Sequence, residues 1–97
     1  MEGKIIYNEQ EQQGNYTFLG TEKYMTSNFL NTFGEVLAHE IYANAIALVM
    51  EKHPEDADYF QTFEYQYPDG KVVKFWIILD EREDAPNILT ALLPEDY

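Results

Sequence analysis

Between residues 35 and 53 the apolar positions Leu37, Ile41, Ala45, Leu48 and Val49 return every three or four residues, while Glu40, Asn44, Ala47 and Glu51 form the opposite stripe. That period predicts an amphipathic helix. Its ends agree with its middle: Glu35 places negative charge in the first turn, Lys52 and His53 place donors in the last, and Pro54 follows as a stop signal. His53 is expected to cap the terminal carbonyls, and His39 to sit at the surface. From Tyr59 the period changes to two. Tyr59-Phe60-Gln61-Thr62-Phe63-Glu64-Tyr65-Gln66-Tyr67 alternates as a half-buried strand does, with Tyr59, Phe63, Tyr65 and Tyr67 on one face. Pro68-Asp69-Gly70 supplies a tight turn, and residues 71–79 return as a second strand. There Val73, Phe75, Ile77 and Leu79 share one face, and Val72, Lys74, Trp76 and Ile78 the other. Residues 80–86 form a charged connection, and residues 87–93 are a third β-type run that Pro94 closes.

Ahead of the helix, residues 4–7 and 15–19 are short β-type runs separated by a Glu/Gln stretch that ends at Gly14, which predicts an N-terminal hairpin within residues 1–20. Residues 21–32, with Ser, Asn and Thr among isolated aromatics, read as a loop holding one turn of helix. The expected fold is α+β: an antiparallel β-meander of three to five strands, centred on residues 59–93, packed on one main helix at 35–53. A chain of 97 residues has room for a single domain, residues 1–97, that buries roughly 60–65% of its unfolded surface.

Composition adds a constraint that the periodicity does not carry. Eighteen Asp and Glu face six Lys and Arg, a formal charge of −12. Affinity for a phosphate backbone comes mainly from cationic side chains displacing counterions, so direct binding of nucleic acid is not expected. A basic groove on another protein is the complementary partner. With 45% hydrophobic residues, including six Phe, eight Tyr and one Trp, the chain differs from acidic disordered tails, which lack the apolar area to offset chain entropy. No cysteine is present, so disulfides, thiolate zinc sites and thiol nucleophiles are excluded. The longest apolar stretch, residues 45–50, is far short of the ~20 residues that span a bilayer, and the start has no signal-peptide pattern; a cytoplasmic protein with no membrane contact is expected.

Three segments together resemble a small single-domain family of unknown function from Gram-positive bacteria and their mobile elements. They are Tyr24-Met25-Thr26, Asp58-Tyr59-Phe60-Gln61-Thr62-Phe63-Glu64 and Leu92-Leu93-Pro94-Glu95-Asp96-Tyr97. The resemblance covers residues 23–97 and implies a fold without an activity. By analogy with other small acidic proteins of mobile elements, it also implies an anti-defence role of the anti-CRISPR or anti-restriction kind.

The acids concentrate in three places: Glu51, Glu55, Asp56 and Asp58 at the helix exit; Asp80, Glu81, Glu83 and Asp84 in the last connection; Glu95 and Asp96 at the end. Two readings stay open, a solvated acidic surface and a charge-directed partner site in which these carboxylates stand in for phosphates. Tyr65, Tyr67 and Trp76 form a candidate apolar contact patch, with strand packing as the alternative. Catalytic parts are scarce. His39 and His53 lie about four helical turns, ~21 Å, apart and cannot share a metal. Ser27 and Arg82 are single and outside any catalytic motif, and Asp56-Ala57-Asp58 lacks the remaining donors and the glycine of a calcium loop. The expectation is a non-catalytic interaction protein without cofactor or metal, monomeric or homodimeric. Its expected partner is a basic-grooved protein such as a nucleic-acid-guided nuclease; the alternative is a self-associating accessory domain.

Overall fold

A computed structural model describes residues 1–97 as a five-stranded sheet with two helices on one face. In chain order these are β1 (Lys4–Asn8), β2 (Glu22–Met25), α1 (Ser27–Phe33), α2 (Glu35–Lys52), β3 (Phe60–Gln66), β4 (Val72–Asp80) and β5 (Ile88–Leu92), followed by a 3-10 turn at Pro94–Asp96. The strand order is β1-β3-β4-β5-β2. The expected α+β class and the antiparallel β3-β4-β5 meander are present. The finer expectation of a purely antiparallel sheet on one helix is corrected, because β2 joins parallel to β5 and α1 adds a second helix.

The predicted N-terminal hairpin does not form. β1 pairs instead with β3, in register from Lys4↔Gln66 to Asn8↔Thr62. The edge of β3 offers what residues 15–19 lack, an in-register apolar row: Ile5 falls opposite Tyr65 and Tyr7 opposite Phe63. Residues 15–19 contribute one bridge, Tyr16 to Ala57, and drop Phe18 into the core. Gly14 makes this close pass possible, since a Cβ there would lie 2.0 Å from the Ala57 carbonyl oxygen.

Residues 21–32, expected as a loop holding one turn of helix, contain β2 and most of the seven-residue α1. The Thr26 Oγ1 accepts the Phe29 N–H at 3.1 Å and so caps α1. Gly34, at φ 81°, both ends α1, donating its N–H to Leu30 O at 2.8 Å, and begins α2. A side chain would be strained at that φ, which is why the joint is glycine. α2 runs to Lys52 as predicted, but its fully buried stripe is Ala38, Ile41, Tyr42, Ala45, Ile46 and Val49. Leu37 and Leu48 are half-buried. The observed stripe is turned so that Tyr42 enters the core and donates its hydroxyl to Leu89 O at 2.6 Å.

The core lies between the sheet and the helices. Tyr7, Phe63 and Phe75 occupy one cross-strand row and stack, with centroids 5.1 and 5.0 Å apart. Phe29 and Phe33 of α1 pack edge-on against Phe75. The other sheet face carries no helix. On it Trp76 packs edge-on against Phe60 and Tyr97, beside the part-exposed Ile6, Ile78 and Ile88.

Candidate functional site

The pairing of strand ends determines where the acids go. β1 ends at Asn8 beside Thr62, β3 begins at Phe60 beside Ile78, and β4 ends at Asp80 beside Ile88. α2 reaches the same end of the sheet, because His53 and Lys52 both meet Glu9, just past β1. The helix exit with Glu51, Glu55, Asp56 and Asp58 and the β4–β5 connection with Asp80, Glu81, Glu83 and Asp84 therefore share one end of the molecule. Glu9, Glu11 and Glu22 join them, which the sequence reading did not include. The Glu/Gln composition of residues 8–13 was visible, but nothing local indicated that β1 would deliver that stretch to the helix exit.

Side-chain hydrogen bonds hold this end in place. Gln61 is the one buried polar side chain. Its Oε1 accepts from the Tyr7 hydroxyl, and its Nε2 donates to Gln10 Oε1 at 2.8 Å and Asp58 O at 2.9 Å. Gln10 donates in turn to Asp56 O at 3.1 Å and accepts the Asp58 N–H at 3.0 Å. No buried side-chain polar atom lacks a partner. The Asp58 carboxylate accepts the N–H of Tyr59, and Glu81 accepts the Tyr16 hydroxyl. Arg82 is tied to the Glu22 carboxylate at 3.0 Å and to Pro86 O. His53 does not cap the helix carbonyls with its ring, as had been expected. Its backbone N–H donates to Val49 O, while the ring meets Glu9 on one side and Asp56, at 3.3 Å, on the other.

The potential at this end is negative. Glu9 hydrogen-bonds His53 and holds the imidazole pKa above its usual value, and His53 in return lowers that of Glu9. Burial first, then the charges of Glu9, Asp56 and Asp58, push the Tyr7 phenol up to about 12. The Tyr16 phenol is raised chiefly by its bond to Glu81. Of the acids at this end, Glu9, Glu22 and Asp56 have a cationic partner within 4.0 Å; Glu11, Glu51, Glu55, Asp58, Asp80, Glu81, Glu83 and Asp84 have none. Glu95 and Asp96 lie toward the opposite end, past Leu92, which pairs with Trp76 in mid-strand. Asp96 there accepts from Thr26 Oγ1 at 2.7 Å, Asn28 and the Leu93 N–H, and its pKa is lowered by those bonds.

The proposed aromatic trio is not brought together. Tyr65 is buried on the helix-covered face and donates nothing outward: its hydroxyl accepts the Gly3 N–H at 2.9 Å. Tyr67 stacks on Phe33 on that same face, whereas Trp76 stands on the open face with Phe60 and Tyr97. The β3–β4 register sets Tyr65 opposite Val73 and Trp76 opposite Thr62, so alternation within each strand puts 65 and 76 on opposite faces. No group of three or more His, Asp or Glu side chains is arranged to hold a metal ion, and no helix is long and apolar enough to cross a membrane. No protein-family model, curated protein or solved structure matches the chain.

Proposed function

We propose that this chain is a non-catalytic acidic interaction protein whose carboxylate-rich end occupies a basic groove on a nucleic-acid-binding protein. In its sharpest form the partner is a defence nuclease, and the chain is a DNA-mimicking inhibitor from a mobile element. The observation that carries this reading is the gathering of Glu51, Glu55, Asp58, Asp80, Glu81, Glu83 and Asp84, without cationic partners, on the last turn of α2, the end of β4 and the connecting segments at one end of the sheet. Carboxylates fixed on a sheet and its turns keep their spacing on approach, which is what a substitute for a regularly charged backbone requires. Opposite charge speeds the encounter, and apolar contact sets the lifetime; Phe60 and Trp76 on the adjoining open face supply that contact.

The test is a comparison of the tagged chain with a variant carrying Glu55→Lys, Asp58→Lys, Glu81→Lys and Glu83→Lys in capture from bacterial lysate. The expected result is a nucleic-acid-binding protein that elutes between roughly 50 and roughly 500 mM salt, is displaced by added duplex DNA, and is not captured by the variant. Capture that survives the four reversals overturns the reading. A second reading, self-association through the open sheet face, is favoured by the Phe60–Trp76–Tyr97 cluster there, and sedimentation in high salt separates the two.

A further inference from the structure

β2 is an edge strand whose second side has no neighbour in the sheet. Its bonds to β5 run from the Glu22 N–H to Asn87 O at 2.9 Å and from the Thr26 N–H to Ala91 O at 3.0 Å. In a parallel ladder alternate residues face alternate neighbours, so Lys23 and Met25 direct their N–H and C=O groups away from β5, toward the free edge. Their side chains share a face with those of Leu89 and Ala91, the helix-covered face. Between this edge and the flank of α2 lies a groove of about 540 Å³, lined by Lys23, Met25, His39, Tyr42, Ala43 and Ile46.

We infer that this edge and groove take up an extended segment of another protein by strand addition to β2. The added strand pairs with Lys23 and Met25 through its backbone, and its alternate side chains enter the groove beneath α2. The geometry couples the two: residues directly opposite Lys23 and Met25 project to the helix side, and in the antiparallel sense they exchange backbone bonds with Lys23 and Met25, whereas in the parallel sense the residues flanking them do. The groove also specifies the side chains. Met25, Ala43 and Ile46 offer an apolar floor for one of them. Lys23 has no carboxylate within 4.0 Å, its ammonium resting on Thr21 O and Oγ1, so it is a free cation on a protein of charge −12. A carboxylate two residues from the apolar side chain completes the match. His39 spends Nδ1 on Glu35 O at 2.7 Å; a carbonyl only accepts, so Nδ1 carries the hydrogen and Nε2 stays free to bond the ligand. This site is distinct from the acidic end and stands or falls independently of the groove-binding reading. A second copy of the chain fits less well, because pairing two such strongly acidic molecules side by side is repulsive.

The experiment is an amide NMR titration of the whole protein with two capped pentapeptides, Thr-Leu-Thr-Glu-Thr and Thr-Glu-Thr-Leu-Thr, which set Leu and Glu opposite Met25 and Lys23 in the antiparallel and parallel senses. Saturable shifts at Lys23, Met25, His39 and Ala43 with either peptide, at up to ~5 mM, support the site. Methylating the peptide backbone nitrogens is expected to weaken binding roughly tenfold, and Lys23→Glu roughly fivefold. Ala43→Phe, at an exposed position of α2, fills the groove and should abolish the shifts while circular dichroism stays unchanged. Absence of shifts at those amides, equal binding of the methylated peptides, binding retained by Ala43→Phe, or a solution dimer with the Lys23 and Met25 amides protected from exchange would each overturn the inference.

Discussion

The two faces of this sheet are built from neighbouring residues yet have opposite fates. Along β4, Phe75 and Ile77 have no solvent exposure, whereas Trp76 and Ile78 between them are only part-buried. The covered face owes its burial to α1, α2 and Phe18, which close over an aromatic row running Tyr7, Phe63, Phe75. The open face has an aromatic pair of its own, Phe60 and Trp76, but only Tyr97 packs over it. Aromatic content alone therefore does not mark a core; the helices that the chain places on one side do. The comparison also explains why an acidic protein this small folds: its charged side chains lie on turns, on the outer side of α2, on the open sheet face and at the sheet edges, and none is buried.

The strongest way to break the comparison is to truncate neighbouring aromatics. Phe75→Ala should cost ~3–5 kcal/mol in urea unfolding, because it leaves a cavity under both helices, while Trp76→Ala should cost about 1 kcal/mol. Equal losses would mean that the open face is covered in solution. A smaller effect is expected when the cover is loosened at its hinge. Thr26→Ala removes the α1 cap and the Oγ1 bond to Asp96, and should lower stability by about 1 kcal/mol while leaving the sheet intact by circular dichroism.

The least effect, and the one that sharpens the contrast between ends, is in pH. His53 has a raised pKa in the folded chain, so its contribution is fully present below its ordinary value of 6.5 and is lost as pH rises through the folded value. Glu9 has a lowered one, so its share holds above 4.5 and is lost as pH falls through its folded value. Melting temperature should therefore rise modestly from about pH 8 to about pH 6, and His53→Gln should flatten that rise. An unchanged rise in the variant would place its origin elsewhere.

Much of the covered face could be read from the chain. α2 was legible from its period and its proline stop, and β3 and β4 from alternation around Pro68-Asp69-Gly70, because each is a local pattern. β2 was not legible. Glu22-Lys23-Tyr24-Met25 has no apolar alternation, and becomes a strand only because β5 offers it a ladder from the far end of the chain. β1 was visible as a strand, but its partner was misassigned, since the row that selects β3 over residues 15–19 emerges only in three dimensions. The helix-exit and β4–β5 acids were legible as clusters in sequence. Their meeting, with Glu9 and Glu22 among them, depends on which strand ends coincide, and that is a property of topology.

The strand order also governs how the fold is reached. β3, β4 and β5 pair with their sequence neighbours, but both outer strands belong to partners distant in the chain, β1 to β3 and β2 to β5. Closing such loops is entropically slow, so the central hairpins and α2 are expected to form first and the borders last. On a ribosome β1 and β2 would emerge long before either has anything to pair with. For that interval the chain would carry two unpaired strand segments, held apart from other nascent chains by its own negative charge.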